Sequence, residues 1–136
     1  MGHDVIMTPG NYCYFDHYQG PKEDEPLAIG GFNPLNKVYE FDPVPKELDA
    51  EAAKHILGGQ ANLWTEYVPN IKHAQYMTFP RIAAMAEALW SPKEVKNWDD
   101  FYRRIQTFTK RYDIMGINYA KSAFKAAAKP QEPVKK

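Results

Sequence analysis

Apolar positions along the chain cluster into a few short runs separated by turn-forming residues. Asp4-Val-Ile-Met-Thr8 is a β-prone run stopped by Pro9-Gly10, and it reads as a buried strand. Gln60 to Trp64, behind the breaker pair Gly58-Gly59, reads as a second buried strand. Between them, Asn11 to Gly31 has no period and is rich in aromatics, Asp, Gly and Pro, which predicts a long loop of the functional kind. Residues 34–41 suggest a helical turn or short helix, ended by Asp42-Pro-Val-Pro45. Residues 45–55, rich in Glu, Ala and Lys, are helix-prone, and 65–72 read as loop. The strongest helical pattern runs from His73 to Trp90, with a broad apolar face that includes Tyr76, Met77, Ile82, Met85 and Leu89. Pro80 should kink that helix or split it. A last amphipathic helix, Asp99 to Met115, carries Phe101, Ile105, Phe108 and Tyr112 on one stripe. Asn97 or Asp99 is placed to cap its start and Gly116 to end it.

Two strands joined by a helical crossover belong to the α/β class with parallel pairing. Two strands cannot build a sheet covered on both faces. Either they pair with another copy, or the rest of the sheet lies outside this chain. The residues therefore divide into a 1–120 unit and a Lys-, Ala- and Pro-rich segment, 121–136, expected to be a frayed helix followed by a disordered basic tail.

Charge and composition narrow the function classes. The 17 basic and 17 acidic residues cancel, which argues against nucleic-acid binding. No apolar stretch approaches the ~20 residues of a membrane span. The single cysteine, Cys13, allows no intrachain disulfide and no Cys-based metal site, and it has no adjacent base to make it a nucleophile. His3, His17, His55 and His73 show no metal-ligand spacing and read as surface or loop histidines. No cofactor is implied.

Tyr14-Phe-Asp16 follows the first strand and Trp64-Thr-Glu66 follows the second. Residues just past the C-terminal ends of parallel strands converge on ligand sites, so both triplets should face one crevice. A carboxylate accepts from two sugar hydroxyls, a Trp face stacks on a pyranose ring, and a Tyr hydroxyl donates to a carbonyl oxygen. The set suits carbohydrate. Asp24-Glu25, in the charged stretch PKEDEP, reads as a solvated charge run. Arg81 and Glu87 suit a structural role on the helix, with Trp90 and Trp98 packed around the helix junction.

The segment from Ile56 to Val68 (ILGGQANLWTEYV) resembles the last barrel strand of the family 20 glycoside hydrolases, the β-N-acetylhexosaminidases. Pro80 to Trp90 is similar to the helix that follows it, Val5 to Asp16 to the strand before, and Tyr39 to Pro45 to the connecting segment. The resemblance implies the last two strands and closing helices of a (β/α)8 TIM barrel, helix-rich and incomplete on its own, since such a barrel needs roughly 250 residues. It also implies roles. Tyr14 would donate to the acetamido oxygen of the substrate, Asp16 and Glu66 would hold hydroxyls, and Trp64 would floor the ring. The family's Asp-Glu pair lies in a His-x-Gly-Gly-Asp-Glu segment that does not occur among these 136 residues. The implied ligands are glycans ending in N-acetylglucosamine or N-acetylgalactosamine, and the implied partner is the missing N-terminal part of the barrel. Self-association of the exposed strand edges is a further expectation. The other readings are a non-catalytic N-acetylhexosamine-binding module and an inactive remnant. Family members mostly act outside the cytoplasm, and no targeting signal is legible here.

Overall fold

The structure is a computed structural model that describes residues 2–127. The first strand, β1 (Val5–Met7), pairs in parallel with β4 (Ile56–Gly59), and the intervening chain crosses over through helices, as the α/β pattern requires. A four-residue helix, α1 (Gly10–Cys13), interrupts the pairing after Pro9. The ladder then resumes: Asn62 donates its N–H to the Cys13 carbonyl at 2.8 Å, and Phe15 donates to the Asn62 carbonyl at 2.7 Å.

The second strand thus begins earlier than Gln60 to Trp64, because Gly58-Gly59 lies inside the ladder and does not break it. Gly58 has φ +139°, a region closed to L side chains, and a Cβ on Gly59 would fall 2.4 Å from the Phe41 ring. The helix-prone stretch 45–55 shrinks to α3 (Ala50–Ala53), capped by the Asp49 carboxylate, which accepts from Ala52 N–H. A second parallel pair, β2 (His17–Tyr18) with β3 (Gly30–Phe32), lies within the expected loop. α2 (Leu35–Tyr39) follows it.

The long helical pattern divides at Pro80 into α4 (Ile71–Thr78) and α5 (Arg81–Trp90), joined by a cis Phe79–Pro80 bond. α6 (Trp98–Ile114) starts on the Asn97 side chain, which accepts from Asp100 N–H at 2.9 Å. It ends in a Schellman motif: Gly116 has φ +65°, its N–H reaches the Asp113 carbonyl, and Ile117 N–H reaches the Tyr112 carbonyl. α7 (Ser122–Ala127) closes the described chain with Ala123 fully buried. Of the segment 121–136, expected to be a frayed helix and a basic tail, residues 128–136 lie outside the described residues.

α2 packs on α5, and the core gathers Phe15, Leu35, Val38, Phe41, Met85, Phe101 and Ile105 from four segments of the chain. Cys13 sits inside this core, where burial pushes its thiol up to about 11, too high for a reactive thiolate. Trp98 packs beside Tyr39 and Phe101, as expected of the helix junction. Trp90 does not: it is 90% exposed at the last residue of α5, on the rim of an apolar groove between α5 and α6. The strands are not buried within this chain either. Val5, Ile6 and Leu57 are all exposed, because nothing among the described residues covers that face of the two-stranded sheet. Nor do the described residues close a barrel.

The charged stretch 22–25 is only half solvated. Asp24 faces water, but Glu25 turns inward, with both carboxylate oxygens sealed from solvent. Its carboxyl lies beside the Tyr76 and Ser122 hydroxyls without hydrogen-bond geometry to either, and burial pushes its pKa above the usual carboxylate range.

Candidate active site

The resumed ladder at Tyr14 and Asn62 aligns the ends of the two strands. Side chains alternate across a strand, so Phe15 enters the core while Tyr14 turns outward. On the other strand, Trp64 and Glu66 stand on either side of the entry to a 3-10 turn, Thr65–Tyr67. Tyr14, Asp16, Trp64 and Glu66 therefore line one open crevice of about 610 Å³, a volume within the range of small-molecule sites. Trp64 is 59% exposed, with its ring available to a ligand, while Asp16 is 6% exposed and fixed in the wall.

The β2–β3 pair supplies a further wall through His17, Gly30 and Gly31, with Ile29 just before β3. The sequence pattern places none of these in the site and reads His17 as a surface or loop histidine; Gly30-Gly31 is the visible trace of the wall. Both glycines have positive φ, and a Cβ on Gly31 would lie 2.6 Å from the His17 ring. The His17 ring in turn lies 5.7 Å from that of Tyr14.

Arg81 is the hub behind the wall. It is fully buried, and its guanidinium stacks over the Phe15 ring at 4.7 Å. Nη1 donates to the carbonyls of His17 and Asn33, each at 3.1 Å. Nη2 donates to the carbonyls of Phe15 and Met77. The carbonyls on both sides of Asp16 are thus tied to one rigid fork. Burial pulls the Arg81 pKa down to about 9, against the upward pull of Glu25 and Asp16, so the charge persists at neutral pH. Glu87, also expected to be structural, accepts two hydrogen bonds from Arg104 at 2.7 and 2.8 Å and one from the Tyr39 hydroxyl. Among the described residues no cluster of His, Cys, Asp and Glu has the form of a metal site.

Parallel strands that deliver acid and aromatic side chains to a crevice at their C-terminal ends have the α/β layout in which ligands bind past the strand ends. The catalytic-domain profile of glycosyl hydrolase family 20 matches residues 1–93, and the chain belongs to that family. It is 49% identical over 120 residues to a β-hexosaminidase of Porphyromonas gingivalis, covering 88% of this chain and 15% of that protein. With a β-hexosaminidase of Akkermansia muciniphila it shares 35% over 120 residues, 87% of this chain and 23% of the relative. Among solved structures, the family 20 β-N-acetylhexosaminidase of Streptomyces coelicolor superimposes with a TM-score of 0.77 at 30% identity, over 89% of this chain and 24% of that one. The exo-β-N-acetylglucosaminidase of Vibrio harveyi in complex with N-acetylglucosamine gives 0.75 at 35% identity, over 89% and 19%. The chain thus spans about a fifth of the proteins it matches.

Proposed function

We propose that this chain forms the sugar-binding end of a β-N-acetylhexosaminidase that removes terminal non-reducing N-acetylhexosamine. The observation that carries the reading is the convergence of Tyr14, Asp16, Trp64 and Glu66 on one crevice at the strand ends. Family membership and the likeness to a Vibrio harveyi enzyme in complex with N-acetylglucosamine support it. Trp64 floors the sugar ring. Asp16 and Glu66 accept hydrogen bonds from ring hydroxyls. The Tyr14 hydroxyl donates to the acetamido oxygen.

In substrate-assisted retention, that acetamido oxygen attacks the anomeric carbon while a carboxylic acid protonates the departing glycosidic oxygen, an exception to the two-carboxylate scheme. Tyr14 would stabilise the charge rearrangement on the acetamido group, a contribution of roughly 3 kcal/mol to the barrier. The acid and its neighbouring Asp are absent from this sequence, so the chain alone binds sugar and does not cleave it.

The test is a titration of the chain with N-acetylglucosamine, followed by NMR, beside an assay with a p-nitrophenyl N-acetylglucosaminide. Shifts at Tyr14, Asp16, Trp64 and Glu66 with no release of chromophore are expected. Absence of binding at millimolar sugar would remove the sugar-site reading, and chromophore release by the pure chain would overturn its inactivity.

A further inference from the structure

A narrow pocket of about 10 Å³ adjoins the crevice and shares Asp16, Ile29, Trp64 and Glu66 with it. Its apolar lining includes Leu27, Ile29 and Met77, and its polar lining includes Asp16 and His73. Asp16 Oδ1 and His73 Nε2 are each sealed from solvent, and neither has a hydrogen-bond partner among the described residues. His73 is the third residue of α4, and its backbone N–H is held by the Asn70 side chain at 2.9 Å, which fixes where the ring enters.

A buried carboxylate oxygen left unpaired is costly, and so is a sealed ring nitrogen. A pocket of this size, with two unpartnered polar atoms among its lining residues, has what one water requires. We propose that Asp16 and His73 hold a single bridging water, and that through it His73 is a positioning residue for Asp16. With the proton on Nε2, His73 donates to the water and the water donates to Asp16 Oδ1. The carboxylate plane is then fixed from behind, and its other oxygen is left for the ligand. The Arg81 fork holds the backbone on either side of the same residue, so side chain and main chain are anchored separately. The inference rests on the reading that Asp16 holds a sugar hydroxyl, but the water bridge itself is testable without sugar.

The experiment is water-selective NMR on the full chain labelled with ¹⁵N-histidine. A long-lived water should give a cross-peak to the His73 ring, and the cross-peak should vanish in Asp16→Ala. A wild-type chain with no such cross-peak, or one that survives in Asp16→Ala, overturns the bridge. Titration with N-acetylglucosamine supplies the second readout. His73→Phe should weaken binding about tenfold, the scale of one hydrogen bond to a charged group. His73→Gln, which can place an amide where Nε2 stands, should recover most of it. Wild-type affinity in a folded His73→Phe chain would rule out the positioning role. A chain that shows the water contact but binds no sugar would retain the bridge and lose the sugar-site reading; sugar binding without the water contact would do the reverse.

Discussion

Trp64 and Asp16 serve one crevice from opposite degrees of burial, and substitution should separate their effects. Trp64 is largely exposed, so Trp64→Ala should leave thermal stability nearly unchanged. It removes a stacking face worth about 1 kcal/mol, which lowers affinity for N-acetylglucosamine about fivefold. A calorimetric titration beside a thermal melt checks both halves of that expectation. At this scale the sequence was informative where chemistry is local. The two aromatic-x-acid triplets were only a weak signal from strand ends and residue types, and the resemblance to family 20 made them stand out. Arg81 was visible only as structural. Its grip on the Phe15 and His17 carbonyls joins positions more than 60 residues apart, and no local pattern encodes that.

Elements whose signals are local, such as the caps of α6 and the division at Pro80, formed where the pattern put them. Elements that depend on a neighbour did not. Gly58-Gly59 reads as a breaker, yet it belongs to β4, where the positive φ of Gly58 and the Phe41 ring against Gly59 require residues without a Cβ. Likewise Glu25 reads as solvent-facing until the 20–28 loop folds onto Tyr76 and Ser122. Its raised pKa gives that loop a pH dependence. The native state holds the proton to higher pH than the unfolded chain, whose carboxylate titrates near 4.5. The contribution to stability is therefore full below that value and is lost as pH rises through the raised native pKa. Glu25→Gln carries no such penalty. The stability of Glu25→Gln relative to the wild type should therefore climb between pH 4 and 7, as followed by thermal unfolding across that range. A difference that stays flat with pH would show that Glu25 is solvated.

The molecule as a whole presents the surface of something larger. β1 and β4 form only a pair, and Val5, Ile6 and Leu57 on them are 40%, 52% and 64% exposed. Open strand edges with apolar side chains recruit further strands. The isolated chain should therefore self-associate at micromolar concentration in light scattering, and Ile6→Lys with Leu57→Lys should return it toward a monomer. The incomplete sheet was legible from strand count alone, whereas the crevice wall from β2 and β3 was not, since two-residue pairings carry no period. A chimera tests the sugar-binding role of this chain most directly. The 120 matched residues of the Porphyromonas gingivalis β-hexosaminidase would be replaced by those of this chain, which are 49% identical. The chimera should release p-nitrophenol from a p-nitrophenyl N-acetylglucosaminide and lose about a hundredfold in rate on Tyr14→Phe. A folded chimera without activity, or one indifferent to Tyr14→Phe, would contradict that role.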